Sequence, residues 1–192
     1  MSVWICVAPG PSAPSSLRRA RSAEPEATII TCNSGAKLIR PDWYFLSDRN
    51  ACREWAVVAR AYQRLGTRLV TLGRLQSALA ERDVEHFDRF VPLSDLPSYA
   101  FNFSGAFCVE WASLQARRVL LVGHDGYRST KSGPTCVDYY DQRHGTPGQA
   151  EQTRDVLAPL LRKIADNAPD VEFRQYGRPW YRIDSPNWTV IE

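Results

Sequence analysis

Long apolar runs are missing from this chain. Nothing in it approaches the roughly 18 consecutive apolar residues that a membrane-spanning helix requires. The opening Met1-Ser-Val-Trp-Ile-Cys-Val-Ala8 carries no basic residue and too short an apolar stretch for a secretory signal. The expectation is therefore a cytoplasmic protein without a membrane span. Cysteine is sparse and unpaired in pattern: Cys6, Cys32, Cys52, Cys108 and Cys136 are odd in number, scattered, and include no C-x-x-C. That spacing rules out a zinc ribbon, a thioredoxin-type motif and a secreted disulfide scaffold, and leaves free thiols in a reducing compartment. No D-x-D sequence and no His/Cys ligand spacing points to a metal. Lysine is nearly absent, at 3 residues (Lys37, Lys131 and Lys163) among 24 basic ones. Arginine forks suit phosphate recognition, but the codon usage of a GC-rich genome accounts for the excess more simply. The net charge of +3 is too small to announce a nucleic-acid binder.

What is present is a globular composition. The 192 residues are 44% hydrophobic and 23% charged, which places them with single domains that bury a real core and away from disordered chains. Short apolar segments alternate with amphipathic ones. Strands are expected at Val3–Ala8, Ala27–Thr31, Asp42–Leu46, Arg68–Leu72, Arg118–Val122 and Asp170–Arg174. The run Val119-Leu-Leu-Val122 before Gly123 has the pattern of a strand buried on both faces of a parallel sheet. Helices are expected at Arg49–Leu65, Ala106–Gln115 and Gln149–Ala165. Gly66 ends the first, and Pro159 should kink or split the last. The polar, Ser/Gly/Pro-rich segments Ser15–Glu26 and Tyr127–Gly148 read as mobile, the second as a lid-like insertion after a central strand. Together these elements predict one α/β domain over residues 1–192, Rossmann-like, with a mostly parallel sheet and helices on both faces.

In such a sheet, ligands bind where the strands end. Pro9-Gly10-Pro11-Ser12 follows the first strand and can present amides and a hydroxyl to a phosphate, or form an ordinary tight turn. Asn33 follows the second and can give and accept hydrogen bonds with a base or ribose. Asp48 follows the third, either as a ligand contact or as a helix N-cap. Ser104-Gly105 opens the Phe107–Trp111 helix and offers a second helix N-terminus to an anion. Gly123-His124-Asp125-Gly126-Tyr127 follows the most buried strand, and Tyr139, Tyr140 and His144 lie within the insertion. The tail Tyr176–Trp188 interleaves aromatics with arginines, as a single-stranded nucleic-acid platform or as a segment packed over the sheet edge.

The order Pro9-Gly10-Pro11-Ser12, Cys32-Asn33, Ser104-Gly105, Gly123-His124-Asp125-Gly126-Tyr127 resembles the layout of bacterial sialyltransferases. It is similar too to the related group of archaeal hydroxymethylpterin diphosphokinase-like and phage proteins. Their first loop typically reads glycine-asparagine-glycine-proline-serine, and Ala8 and Pro9 replace its first two residues here. The resemblance implies that Gly10, Pro11, Ser12, Asn33, Ser104 and Gly105 cradle a cytidine nucleotide, with Asp48 and Gly123 beside it. It implies that Tyr127, with Tyr139 or Tyr140, bonds the departing phosphate. His144 would be the general base, with His124 competing for that role, and Asp125 would complete the catalytic set. The implied reaction is metal-independent transfer of a sugar from a nucleotide donor to a hydroxyl of a glycan or of a hydroxylated DNA base. Two alternatives stay open at this point. One is a diphosphokinase whose Mg²⁺ would rest on Asp48 and Asp125. The other is a non-catalytic nucleotide or nucleic-acid binding module.

Overall fold

The structure, a computed structural model, describes residues 2–75, 86–98, 103–126, 129–130, 133–134 and 153–192. Its centre is a sheet of eight parallel strands: β1 (Val3–Val7), β2 (Thr28–Cys32), β3 (Trp43–Phe45), β4 (Arg68–Leu72), β5 (Arg89–Val91), β6 (Arg118–Val122), β9 (Glu172–Tyr176) and β10 (Trp188–Ile191). The short strands β7 (Ser129–Thr130) and β8 (Gly133–Pro134) pair antiparallel with each other, apart from the main sheet. The spatial order is β10-β9-β6-β1-β2-β3-β4-β5. From β1 the chain winds outward through β5, then returns to β6 on the other side of β1. The reversal places the topological switch point between β1 and β6, where an open α/β sheet forms its ligand crevice.

Helices cover both faces, as the sequence pattern predicts. α1 (Ala13–Ala23), α2 (Arg49–Glu54) and α3 (Ala56–Gln63) lie on one face, and α4 (Ser104–Ser113) and α5 (Ala158–Asn167) on the other. The division follows the strand alternation. Ile5 and Val7 meet Leu17 and Ala20 of α1, whereas Trp4 and Cys6 join Phe107, Trp111, Leu161 and Ile164 on the α4–α5 side. Val119–Val122 has no exposed surface at all, so the central strand is sealed on both sides.

Two expectations need correction. Ser15–Glu26 is not a mobile segment: most of it is α1. Its sequence looks polar because the helix meets the sheet through small residues, with Ala13, Ser16, Leu17 and Ala20 buried and Pro14 in the first turn. The single helix expected over Arg49–Leu65 breaks at Trp55, whose backbone (φ −103°, ψ 6°) ends α2 and starts α3. The last helix is split as Pro159 demands. One π-turn (Thr153–Leu157) precedes α5, which begins at Ala158 so that Pro159 falls in the first turn, where its missing N–H costs nothing. The tail packs at the sheet edge, the second of its two readings: Trp188 opens the edge strand β10 and stacks on Phe173 at 5.3 Å. Among the described residues no helix is long and apolar enough to cross a membrane. Cys6, Cys32, Cys52 and Cys108 are buried and in no disulfide among the described residues, and Cys136 lies outside the described residues.

Candidate functional site

The loops after β1 and β6 touch at the switch point because two glycines let them. The Gly10 amide donates to the Gly123 carbonyl at 3.1 Å. A Cβ on Gly10 would collide with that carbonyl oxygen, and one on Gly123 (φ +69°) with the carbonyl oxygen of Ala8. The junction is locked by Asp125, which is 6% exposed. Its two carboxylate oxygens accept from the Ser12 amide at 2.8 Å and the Ser12 hydroxyl at 2.5 Å. Asp125 thus supplies, from across the crevice, the cap that Ser12 does not give α1. Burial raises the Asp125 pKa, against the two Ser12 hydrogen bonds that lower it.

Beside this junction opens a cleft of about 330 Å³, within the size range of small-ligand pockets. Among the described residues it is lined by the β1 loop (Ala8, Pro9, Gly10), Cys32 and Asn33 after β2, Phe103–Ala106 at the start of α4, and Gly123, His124 and Gly126 after β6. Leu157 closes one side. Asn33 has φ 47°, a left-handed conformation that asparagine tolerates better than most residues, and its carbonyl accepts from the Tyr44 hydroxyl at 2.9 Å. Strain of this kind at a cleft wall fits a residue placed for contact.

The two helix N-termini at the crevice differ sharply. That of α1 already holds the Asp125 carboxylate. That of α4 has no side-chain cap from Phe103 and no acidic residue in its first turn. Its first amides, on Ser104, Gly105 and Ala106, have no intrahelical acceptor, and these residues line the cleft. The positive end of a helix dipole is therefore available to an anion at α4.

His124 lies against that helix start. A Cβ on Gly105 would sit 3.2 Å from its Cε1 and 3.4 Å from its Nδ1. Its pKa is pulled from 6.5 down to about 4 by burial, against a hydrogen bond to the Cys6 backbone that favours the charged ring. Nε2 is buried with no hydrogen-bond partner among the described residues. The Cys6 bond therefore belongs to Nδ1–H, and the neutral ring holds an Nε2 lone pair with no partner among the described residues. The His124 carbonyl is held in turn by the Tyr181 hydroxyl at 2.7 Å and Gln175 Nε2 at 2.8 Å, and the Asp125 carbonyl by the Trp180 amide at 2.9 Å. Burial keeps the Tyr181 hydroxyl protonated, with its pKa raised. The sequence reading missed Gln175 and Tyr181, although the aromatic density of the tail was the available signal.

Of the residues singled out in sequence, Gly10, Asn33, Ser104, Gly105, Gly123 and His124 converge on the cleft. Pro11, Ser12 and Asp125 lie behind it, on a neighbouring groove shared with Arg19 and Trp180. Both hydrogen-bonding groups of Ser12 point to Asp125 and not to the cleft. Asp48 caps α2, accepting from the Ala51 amide at 2.9 Å, and is not part of the cleft wall. Among the described residues no three His, Cys, Asp or Glu side chains cluster as a metal site. Tyr127, Tyr139, Tyr140 and His144 lie outside the described residues.

No family model matches the chain, and no curated protein is similar to it in sequence. A solved structure is similar in fold: the MAf glycosyltransferase from Magnetospirillum magneticum AMB-1, with a TM-score of 0.55 and 15% sequence identity. The likeness covers 99% of this chain and 33% of that one, so the chain spans about a third of the length of that glycosyltransferase and shares the fold of that part.

Proposed function

We propose that the chain binds a nucleotide sugar in the switch-point cleft and transfers its glycosyl group to an acceptor hydroxyl. The observation that carries this reading is a neutral His124 packed against the start of α4, which has no side-chain cap from Phe103, in the wall of one cleft. The helix end suits a nucleotide phosphate, His124 Nε2 suits a sugar or ribose hydroxyl, and Asn33 suits a base or ribose. That a protein of like fold is a glycosyltransferase supports the same class of reaction. Charge developing on the leaving phosphate would be stabilised by the α4 amides, and by Tyr127 with Tyr139 or Tyr140 as their hydroxyls are brought to it. No obligatory metal is part of this proposal. The acceptor proton needs a base that titrates near neutrality. His124, with a pKa near 4, is a weak one, so His144 is the better assignment.

The test is a thermal-shift panel of CMP, UDP, GDP, ADP and ATP, each with and without Mg²⁺, followed by turnover of the matching nucleotide sugar. A ligand at about a hundred times its Kd should add roughly 2.7 kcal/mol of stability. Stabilisation without metal by a nucleotide, and hydrolysis or transfer of its sugar conjugate, is the expected result. Stabilisation by ATP only with Mg²⁺ would replace the proposal by a diphosphokinase. No response to any nucleotide would remove the cleft from nucleotide chemistry altogether.

A further inference from the structure

The charge of this chain is concentrated in one stretch. Residues 37–75 hold eight basic side chains (Lys37, Arg40, Arg49, Arg53, Arg60, Arg64, Arg68, Arg74) against three acidic ones (Asp42, Asp48, Glu54). That is a net +5 in a chain whose total is +3, so everything else sums to −2. All eight basic residues are exposed. Asp42 accepts from Ile29 at 2.7 Å and Asp48 from Ala51 at 2.9 Å, while Lys37, Arg49, Arg53, Glu54, Arg60 and Arg74 each make interactions of their own.

The arginines are placed by helical spacing. Arg49 and Arg53 stand one turn apart in α2, and Arg60 and Arg64 one turn apart along α3 and its C-cap. Their helices bury the opposite face, with Ala51, Cys52, Trp55, Ala56 and Ala59 packed on the sheet. The result is a basic ridge of two arginine pairs, one on each side of the Trp55 break, each pair about 6 Å apart along its helix at 1.5 Å per residue. The large apolar side chains left exposed along it are Val57 and Leu65, too few to make an apolar face for insertion into a lipid surface.

The ridge adjoins the cleft through one short turn. The 3₁₀ turn Asn33–Lys37 begins at the cleft-lining Asn33 and ends with the Lys37 ammonium 5.3 Å from the centre of the Trp55 ring, at the α2–α3 junction. The carbonyl of Ala36 in the same turn accepts from the Tyr62 hydroxyl of α3 at 2.7 Å.

We propose that the α2–α3 face is a nucleic-acid docking surface, whose arginines follow the phosphodiester backbone of a polymer lying beside the cleft. Guanidinium forks in pairs one turn apart suit neighbouring phosphates, and a helical ridge positions without reading sequence. The polymer's role as acceptor rests on the transferase reading above. Its binding does not.

The experiment is a fluorescence-anisotropy titration of the full chain onto a fluorescein-labelled 24-base-pair DNA duplex between 50 and 200 mM NaCl. Neutralising about four phosphates should give log K a slope of about −3.6 against log salt. The variant R49Q/R53Q/R60Q/R64Q should bind at least tenfold more weakly at the lowest salt and lose most of that slope. The charge-matched control R18Q/R117Q/R162Q/R182Q, at four exposed arginines elsewhere, should stay within about twofold of wild type. Circular dichroism and melting checks that both fold. Equal losses in variant and control would overturn the docking surface in favour of unspecific charge, and so would an absence of duplex binding at 50 mM NaCl. Ridge-dependent binding to phosphatidylserine vesicles without duplex binding would assign the face to a membrane and refute the proposal. Nucleotide affinity measured on the same proteins separates the two readings. Duplex binding with no nucleotide binding rejects the transferase alone, and the converse rejects the ridge alone.

Discussion

Acidification should expose the buried state of His124. Its folded-state pKa is about 4, below the ordinary 6.5, because the ring is taken out of water without a countercharge. Between those values the unfolded chain binds a proton that the folded chain refuses, so stability falls as pH drops through this window and is unaffected above pH 7. A shift of about 2.5 units corresponds to roughly 3.4 kcal/mol at its limit, and about 2–3 kcal/mol is developed by pH 4.5. Asp125 acts in the opposite sense. Its raised pKa makes the folded state hold a proton that the unfolded state has released, so acid favours folding through that group. The measurement must therefore be a difference. Urea unfolding, followed by the fluorescence of the six tryptophans, is run from pH 7.5 to 4.5 on wild type and on His124→Gln. Glutamine keeps a donor for the Cys6 backbone and does not titrate. The gap between the two proteins should move by about 2–3 kcal/mol over that range, with the wild type losing more. A gap that stays constant would refute the reasoning, since it would mean that His124 takes up its proton in the folded protein as easily as in water.

Other outcomes follow from the same geometry. Ser12→Ala and Asp125→Asn should each destabilise, and a double-mutant cycle by denaturant unfolding should return a coupling of about 1–3 kcal/mol, whereas additive losses would show that the clamp contributes nothing. Because both Ser12 groups face Asp125, Ser12→Ala should leave the calorimetric Kd for nucleotide within about twofold; a tenfold loss would put Ser12 back on the phosphate. Gly10→Ala should lower Tm by several degrees through its clash with Gly123 and Asp125, and a variant as stable as wild type would mean the two loops can part without cost. His144→Ala should slow transfer by about 10²–10⁴ with nucleotide affinity unchanged and should remove the acidic limb of the pH–rate profile. If that limb persists, the base lies elsewhere.

The sequence by itself determined six of the eight strands of the sheet and the loops that line its cleft. Arg68–Leu72 and Arg118–Val122 are read to the residue, because a strand buried on both faces must be a short unbroken apolar run between polar ends. The residues following β1, β2 and β6 were legible as site candidates because a glycine-bearing turn, an asparagine and a histidine stand where the strands of an open α/β sheet end at its crevice. Local pattern was blind where partners are distant in sequence. α1 was hidden because its contact face is alanine and serine, whose burial depends on how close the sheet comes. β10 and Tyr181 were hidden because their meaning lies in Phe173, Gln175 and the His124 carbonyl. Only the tertiary structure decided which of two helix N-termini is open. Asp125 and Ser12 are 113 residues apart, and nothing local to either shows that one carboxylate occupies the start of α1 while, among the described residues, the start of α4 carries no side-chain cap. The same holds for the state of His124. Its sequence neighbours suggest a titrating residue at a strand end, but the packed surroundings that hold it neutral come from β1 and α4, and only folding brings them together.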